Sequence, residues 1–372
     1  MSIPVANLYY LYCYAWRQFS AAADARVLEV DAPQTTADLW ALVLSEAFAR
    51  QVRRGLDHGY RVHHGRLSLP RGRMHPLQST VSGALAVGQL ECSWDEFVPD
   101  TDPNRIIKFT MKRLANCREV EPQHAHRLRR LILVLDRVAD HTPTLREVRS
   151  VQLNRNNASY GLMLEVCRHV LEFLLPVEGD GTSAFRDPQR DDRHMAKVFE
   201  DFLMAWYQRH ADPSEFSWIG RRELAWPVRA LGDPSDLRFV PSMITDITLR
   251  GPQRVLIIDA KYYRETLLAR RESATPKIIS GHLYQLHAYL AAWAAHYPSG
   301  PKPEGMLLYP TVQDPVDLKL EIHGYPVRVA TVNLNQAWPK IAAELASLIL
   351  PIHETGANQD PCMIEALAGA DA

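Results

Sequence analysis

The sequence has few cysteines and no excess of charge of either sign, and each of these features excludes some classes of function. Its 372 residues include five cysteines, none in a C-x-x-C pair. Such scattered cysteines argue against a zinc site and against a disulfide framework, and they favour a reducing compartment. The 42 Lys and Arg residues offset 43 Asp and Glu residues, so the formal charge is −1. Without a global basic excess, any site for a polyanion must be local.

Long hydrophobic runs are missing as well. No stretch approaches the roughly 18 apolar residues of a membrane-spanning helix. The start of the sequence, M-S-I-P-V-A-N-L-Y-Y, lacks the basic and apolar regions of a secretion signal. Hydrophobic residues still make up 47% of the chain, which is enough for a full core, and the length favours two domains. We therefore expect a soluble, cytoplasmic protein that does not enter the membrane.

Nucleotide-binding motifs are also missing. The nearest approach to a P-loop, at residues 83–90, lacks the lysine that reaches the phosphates and the hydroxyl that holds magnesium. The pairs His63-His64 and His124-x-His126 have no accompanying cysteine or carboxylate cluster, so we interpret them as ordinary histidines. Any nucleotide-driven step must therefore come from another chain.

The first half of the sequence has helical apolar spacing with one broken stretch. We predict helices over 36–54, 103–139 and 154–175, and short strands and turns over 55–99. The polar, turn-rich segment 177–193 is the best candidate for a domain boundary. These features predict an N-terminal mixed α/β domain, residues 1–185, and a C-terminal domain, residues 186–372.

Two segments of the first half are open to more than one interpretation. Residues 102–137 carry nine Lys or Arg against four Asp or Glu. They could contact DNA phosphates, or they could solvate one side of a helix or face a partner, and we favour the second alternative. The aromatic segment from Leu8 to Trp16 is interpreted as core, because five aromatic residues in nine suit a buried element.

The second half of the sequence has the order helix, hairpin, helix, strand, which is typical of an α/β domain. We predict helices over 194–209, 278–296 and 336–350, a hairpin of strands over 239–250 and 254–263, and a buried strand over 305–310.

The second strand of the hairpin, V-L-I-I-D-A-K-Y-Y, ends in charged residues. Strand side chains alternate, so Asp259 and Lys261 share a face and lie about 6.6 Å apart. A two-residue loop at Gly251-Pro252 would place Asp246 opposite Ile257, diagonal to Asp259 and on its face. A different loop length would change that register.

Carboxylates at the end of a buried strand repel each other and lose hydration, and a divalent cation removes both costs. Oxygen ligands without Cys or His select a hard ion, so Mg²⁺ is expected before Zn²⁺. With Asp246, Asp259 and Lys261 around such an ion, the reaction class is phosphodiester hydrolysis. The alternative is a strand-end salt bridge between Asp259 and Lys261, with Asp246 on a solvated face.

The flanking helices supply further polar residues. Glu200 lies at the edge of an apolar stripe, and Gln285 and Tyr289 lie on one helix face at i, i+4. Taken in order with Asp246 and Asp259-Ala260-Lys261, they resemble the PD-(D/E)xK restriction-endonuclease superfamily. More closely, the sequence resembles the McrC family, the nuclease subunits of McrBC-type modified-cytosine-specific (type IV) restriction systems. The motifs that carry this resemblance span nearly the whole sequence and are I-P-V-A-N-L-Y-Y-L-Y-C-Y-A-W, N-R-I-I-K-F-T, M-I-T-D-I-T-L-R, V-L-I-I-D-A-K-Y-Y, H-L-Y-Q-L-H-A-Y-L, L-L-Y-P and T-V-N-L.

The resemblance implies a C-terminal restriction-endonuclease-like domain with a central mixed sheet flanked by helices. It implies that Asp246, Asp259 and Glu200 are the metal ligands for Mg²⁺, with Mn²⁺ as a substitute. It further implies that Lys261 serves the attacking water and that Gln285 supports the site.

The resemblance also implies partners. McrC proteins work with a hexameric AAA+ GTPase of the McrB type, which binds the GTP and recognises modified DNA. Residues 1–185 would then be the half that docks on the motor and stimulates its GTPase, and double-stranded DNA modified as 5-methylcytosine would be the substrate. Two alternatives remain: a regulatory protein that activates a partner NTPase and has a vestigial nuclease site, and a stand-alone repair nuclease.

Overall fold

The chain forms two units, seen in a computed structural model that describes residues 3–19, 33–155, 157–176, 183–262, 267–268, 277–311 and 315–351. The first, here the helical unit, spans Pro33–Asp187. The second, here the sheet unit, joins the described residues before Pro33 to those from Pro188 onward.

The helices and strands are numbered in chain order. The helices are α1 Val5–Ala15, α2 Thr36–Arg54, α3 Pro76–Val81, α4 Asp102–Ala115, α5 Pro122–Ile132, α6 Leu145–Ser150, α7 Gly161–Phe173, α8 Asp192–His210, α9 Ser280–His296 and α10 Trp338–Leu348. The strands are β1 Gly59–Leu67, β2 Arg73–Met74, β3 Leu90–Val98, β4 Leu174–Pro176, β5 Ser183–Phe185, β6 Trp218–Gly220, β7 Glu223–Leu224, β8 Met243–Ile244, β9 Ile247–Arg250, β10 Val255–Ala260, β11 Leu267–Leu268, β12 Lys277–Ile278, β13 Pro303–Thr311, β14 Asp317–Ile322 and β15 Tyr325–Asn333.

The helical unit confirms most of the helices predicted in the first half. α2 has the predicted bounds, because the Thr35 side chain accepts from the Asp38 amide at its start and Gly55 adopts a φ of 101° at its end. The predicted helix 103–139 is divided into two helices, α4 and α5, and residues 116–121 between them are not helical. The predicted segment 55–99 contains longer strands than expected, since β1 and β3 pair antiparallel over nine residues each.

The last helix of the helical unit, α7, begins later than the predicted residue 154. The side chains of Asn154 and Asn157 accept each other's backbone amides, at 3.3 and 2.7 Å. Such local bonds hold the backbone in a turn and compete with helix formation. The helix therefore starts only at Gly161.

The sheet unit is built on a six-stranded mixed sheet with the order β14-β15-β13-β10-β9-β6. The central strands β10, β13 and β15 are parallel, whereas β9, β6 and β14 pair antiparallel with their neighbours. Helices α8, α9 and α10 pack on this sheet. The predicted α/β class, with a central mixed sheet and flanking helices, is confirmed.

Strand β10 and helix α9 pack closely in the core of the sheet unit. Val255 and Ile257 lie in a buried cluster with Leu286 and Leu290 of α9. A side chain at Gly305 of β13 would come within 2.9 Å of Leu290, so the missing Cβ lets the helix approach the sheet. This packing brings the polar face of α9 to the end of β10.

The first helix, α1, belongs to the sheet unit, which differs from the predicted domain 1–185. It packs on α8, and the Asn7 side chain donates to the carbonyls of Leu334 and Gln336 at 2.8 and 2.9 Å. Tyr10 stacks on Trp338 with 4.3 Å between ring centroids. The prediction that this aromatic segment is core is confirmed, but the core is that of the second unit.

The basic stretch 102–137 uses part of its charge inside the helical unit. Lys112 pairs with Asp140 at 2.6 Å, and Lys108 donates to the Val138 carbonyl at 2.5 Å.

None of the described helices has the length and apolar character needed to cross a membrane.

Candidate active site

The candidate site lies where β10 ends, at the carboxyl edge of the parallel strands. The four apolar residues Val255 to Ile258 are buried, as their pattern predicted, and the burial continues to Asp259. Asp259 is fully buried, with 0% of its surface exposed. Lys261 follows the strand, and its backbone amide donates to the Leu308 carbonyl of β13 at 2.9 Å. The sheet therefore fixes both charged residues relative to the neighbouring strand.

The predicted hairpin register is wrong by two residues. Arg250 pairs with Val255 and Ile258 pairs with Ile247, because the loop has four residues and is closed by a bond from the Gly251 amide to the Arg254 carbonyl. A shift of two keeps each side chain on its predicted face. Extending the register by one residue places Asp246 directly opposite Asp259 rather than diagonal to it.

Asp246 lies in a break between β8 and β9. Its Oδ2 atom accepts from the backbone amide of Ala260 at 3.0 Å, and Ala260 lies two residues beyond Ile258, the last residue of β10 that pairs with β9. The preceding residue, Thr245, hydrogen-bonds through Oγ1 with Thr248 at 2.9 Å and accepts from the Arg222 amide at 2.9 Å. These bonds stabilise the backbone between β8 and β9, which directs the Asp246 carboxylate toward β10.

The Asp259 carboxylate is only partly compensated. Its Oδ1 atom accepts from the Lys261 ammonium at 2.9 Å. Its Oδ2 atom is buried and has no hydrogen-bond partner within the described part of the chain. Burial raises the pKa of Asp259 to about 7; Lys261 opposes this rise and the charge of Asp246 adds to it. The side chain is therefore an acid that lacks a full counter-charge.

Lys261 is held on both sides. Its ammonium donates to Asp259 and, at 3.1 Å, to Oε1 of Gln285, whose amide in turn donates to the Tyr289 hydroxyl at 2.8 Å. Burial lowers the pKa of Lys261, but the Asp259 carboxylate outweighs it, and the pKa is raised overall. Lys261 is thus a positive hydrogen-bond donor at neutral pH, and the predicted placement of Gln285 and Tyr289 on one helix face is confirmed.

His282 is a neighbour of the site that sequence reasoning missed. Its Nδ1 atom and the Tyr309 hydroxyl are 2.8 Å apart. Burial, followed by the charge of Lys261, lowers the pKa of His282 to about 4, so the ring is neutral. The signal was available in the sequence, because His282 precedes Gln285 by three residues and shares its helix face.

Glu200, which is predicted to be a metal ligand, forms an ion pair with Arg221 in this structure. Its Oε1 atom accepts from Nε of Arg221 at 2.9 Å. Burial and then the charge of Asp246 raise the pKa of Glu200, which shows that it lies within electrostatic range of the site. Within the described ranges, no group of three or more His, Cys, Asp or Glu residues is positioned to hold a metal ion. The structure therefore brings together Asp246, Asp259, Lys261 and Gln285. Glu200 lies near them and is paired with Arg221.

The chemistry of the site fits a hard divalent cation. Oδ2 of Asp259, which has no hydrogen-bond partner among the described residues, and the carboxylate of Asp246 offer oxygen ligands without sulfur or imidazole. A cation there would offset both the burial and the repulsion from Asp246 that raise the pKa of Asp259. The salt-bridge alternative accounts for Oδ1 but leaves Oδ2 without a partner in the part of the chain that the structure describes.

Comparisons with known proteins agree on one family. A family model described as "McrBC 5-methylcytosine restriction system component" matches residues 8–310. The Escherichia coli K12 protein "Type IV methyl-directed restriction enzyme EcoKMcrBC" is 29% identical over 346 residues, which cover 93% of this chain and 97% of that one.

A solved structure shares the fold. It is the half-complex from the tetradecameric assembly of Thermococcus gammatolerans McrB AAA+ hexamers with bound McrC, and its TM-score is 0.54 at 15% identity. The match covers 91% of this chain and 74% of that chain.

Proposed function

Because the chain belongs to the family of McrBC 5-methylcytosine restriction system components, we propose that it is the DNA-cleaving subunit of such a system. The observation that supports this most directly is the buried Asp259, with one carboxylate oxygen unpartnered among the described residues and Asp246 beside it. The reaction is hydrolysis of a phosphodiester in double-stranded DNA that carries 5-methylcytosine-type modification.

Asp246 and Asp259 would hold Mg²⁺, or Mn²⁺ in its place. When bound, the ion supplies Lewis-acid activation of the phosphate and a water of lowered pKa. Within the chain, the backbone amide of Ala260 fixes the Asp246 carboxylate. The sheet fixes Asp259, so the two ligands keep their separation as the substrate binds and leaves.

Lys261 acts as a cation and hydrogen-bond donor, because its raised pKa keeps it protonated. It orients the attacking water and offsets the negative charge that develops on the phosphate. Gln285 holds the ammonium in place from α9, and Tyr289 fixes the rotamer of Gln285. The proton of the attacking water passes to solvent, and the leaving oxygen is protonated from solvent.

The motor is a separate chain. The sequence lacks a P-loop, and the solved structure of similar fold contains McrB AAA+ hexamers with bound McrC. We propose that this chain works with such a GTPase, which binds GTP and selects modified DNA, and that the helical unit supplies the GTPase-stimulating contacts. The described cysteines are free, in keeping with the cytoplasm as the place of reaction.

Reconstitution tests the proposal. The chain is combined with an McrB-type partner, GTP and Mg²⁺, and cleavage of methylated and unmethylated plasmid is compared. We expect cleavage of the methylated plasmid only, with loss of cleavage but not of GTPase stimulation in Asp259→Ala and Lys261→Ala. Equal cutting of both plasmids would reject modification dependence, and cutting without partner or GTP would indicate a stand-alone nuclease. Full cleavage by either variant would reject the site.

A further inference from the structure

Glu200 and Asp201 share two basic partners, Arg221 and Lys197, and Nζ of Lys197 lies 3.9 Å from Glu200 and 2.9 Å from Asp201. Nε of Arg221 donates to Glu200 at 2.9 Å, and its Nη2 donates to Asp201 at 2.9 Å. The Arg221 side chain is 42% exposed, whereas that of Glu200 is 22% exposed. The guanidinium is therefore reachable from solvent and is more exposed than the acid with which it pairs.

Arg221 is tied to the turn that carries Asp246. It lies between β6 and β7, and its neighbour Arg222 exchanges bonds with Thr245: the Arg222 amide donates to Thr245 Oγ1 and the Thr245 amide donates to the Arg222 carbonyl. Since α8 packs on both β6 and β10, Glu200 and Arg221 meet at the same edge of the sheet as Asp246.

The charges at this edge define two competing states. A carboxylate neutralised by a guanidinium is a poor ligand for a cation, because the arginine repels the cation and occupies the oxygen lone pairs. A guanidinium fork fits phosphate oxygens as well as it fits carboxylates. A DNA phosphate at the edge would thus compete with Glu200 for Arg221.

We propose that Arg221 is a positioning residue that keeps Glu200 away from the metal until a DNA phosphate takes over its guanidinium, an inference that rests on the proposed metal site at Asp246 and Asp259. In the free protein, the cation is held by the two aspartates alone. With DNA bound, Glu200 is released and becomes the third carboxylate ligand. The free protein would therefore have two carboxylate ligands, and the DNA-bound protein would have three. Tight metal binding would then depend on the presence of the DNA substrate.

Metal binding by the full chain, without its partner, tests the inference without using activity. Mn²⁺ is titrated and free ion is measured by electron paramagnetic resonance, with binding to Asp259→Ala subtracted as background. We expect Arg221→Gln to bind Mn²⁺ about three- to tenfold more tightly than the natural chain in the absence of DNA. Combining Arg221→Gln with Glu200→Gln should remove this gain in affinity, because the carboxylate that Arg221→Gln releases is then absent.

A short duplex provides the second arm. Adding it should raise the Mn²⁺ affinity of the natural chain and should raise that of Glu200→Gln less. Arg168→Gln is the matched control, because Arg168 pairs with Glu165 at 2.7 Å in the helical unit and is not part of the site. If Arg221→Gln does not fold, Arg221→Lys keeps the charge without the fork, and its DNA-free affinity should lie above the natural value.

The outcomes separate the inference from the proposed function. Unchanged or weaker Mn²⁺ binding by a folded Arg221→Gln, with binding abolished by Asp259→Ala, would overturn the role of Arg221 alone. Retention of full Mn²⁺ binding by Asp259→Ala would overturn the metal site itself. An equal loss of affinity in Glu200→Gln with and without DNA would show that Glu200 is a resident ligand and would overturn the inference.

Discussion

The Oδ2 atom of Asp246 accepts a hydrogen bond from the backbone amide of Ala260 at 3.0 Å, although the regular pairing of β9 with β10 has already ended. The carboxylate therefore has a structural partner in addition to its proposed metal. These two roles can be separated by substitution, because an amide oxygen can replace one of them.

Asp246→Asn keeps an acceptor for the Ala260 amide but removes the negative charge. We expect the free energy of unfolding of the variant to lie within about 1 kcal/mol of that of the natural chain. The rate of DNA cleavage by the reconstituted complex should fall by at least about 100-fold. Asp246→Ala should lose cleavage equally and also be less stable, since the amide is left without its partner. The measurements are thermal unfolding and plasmid cleavage. Asn and Ala variants of equal stability would show that the hydrogen bond contributes nothing.

The raised pKa of Asp259 makes the metal-free protein sensitive to pH. Because its pKa is about 7 in the fold and close to 4 in an unfolded chain, the folded state holds the proton more tightly. Its contribution to stability is present below the unfolded pKa and is lost as pH rises through about 7. Asp259→Asn removes this loss, so without metal it should be more stable than the natural chain at pH 8, by roughly 1–3 kcal/mol.

At pH 4 the difference between these two proteins should nearly vanish. Adding Mg²⁺ at pH 8 should stabilise the natural chain and leave Asp259→Asn unchanged. Thermal unfolding in buffers from pH 4 to 8, with and without Mg²⁺, measures both effects. If the difference in stability between the natural chain and Asp259→Asn did not change with pH, the pKa of Asp259 would not be raised in the folded protein.

The sequence predicted the local elements well where the signals were local. α2 has its predicted bounds because a capping threonine and a glycine with positive φ mark its ends. The face shared by Asp246 and Asp259 followed from strand alternation. Their register did not, since a hydrophobic pattern of period two is unchanged by a shift of two residues, and only the four-residue loop distinguishes the alternatives.

Long-range partners were beyond the sequence patterns. The ion pair between Glu200 and Arg221 joins a helix to a segment that has no apolar period, so nothing in the spacing names one as the partner of the other. The docking of α1 against α8 has the same character: apolar spacing predicts that a helix is buried but not against which unit.

Gln285 lies between Lys261 and Tyr289, and its two bonds predict graded effects. Gln285→Ala frees the lysine on one side and should lower cleavage by about tenfold without abolishing it. Tyr289→Phe removes only the hydroxyl that orients the Gln285 amide, so its effect should be smaller. Rates of plasmid cleavage at saturating partner and GTP measure both. A Tyr289→Phe variant slower than Gln285→Ala would show that the hydroxyl acts independently of Gln285.

The contacts of Asn7 indicate that α1, near the start of the sequence, contributes to the stability of the sheet unit. Its buried amide donates to the carbonyls of Leu334 and Gln336, so Asn7→Ala leaves two acceptors without their donor. We expect a loss of about 1–3 kcal/mol in the stability of this unit. Asn335→Ala is the control, because Asn335 lies between the same two carbonyls and is exposed.

The same reasoning applies to truncation. A fragment of residues 186–372 would expose the surface of α8 that α1 covers and the face of Trp338, in α10, on which Tyr10 stacks. It should aggregate or unfold at a lower temperature than a fragment in which residues 1–19 are linked to it. Thermal unfolding and size-exclusion chromatography of the two fragments measure this. If 186–372 alone were as stable as the linked fragment, α1 would be dispensable, and its aromatic residues would need an explanation other than packing.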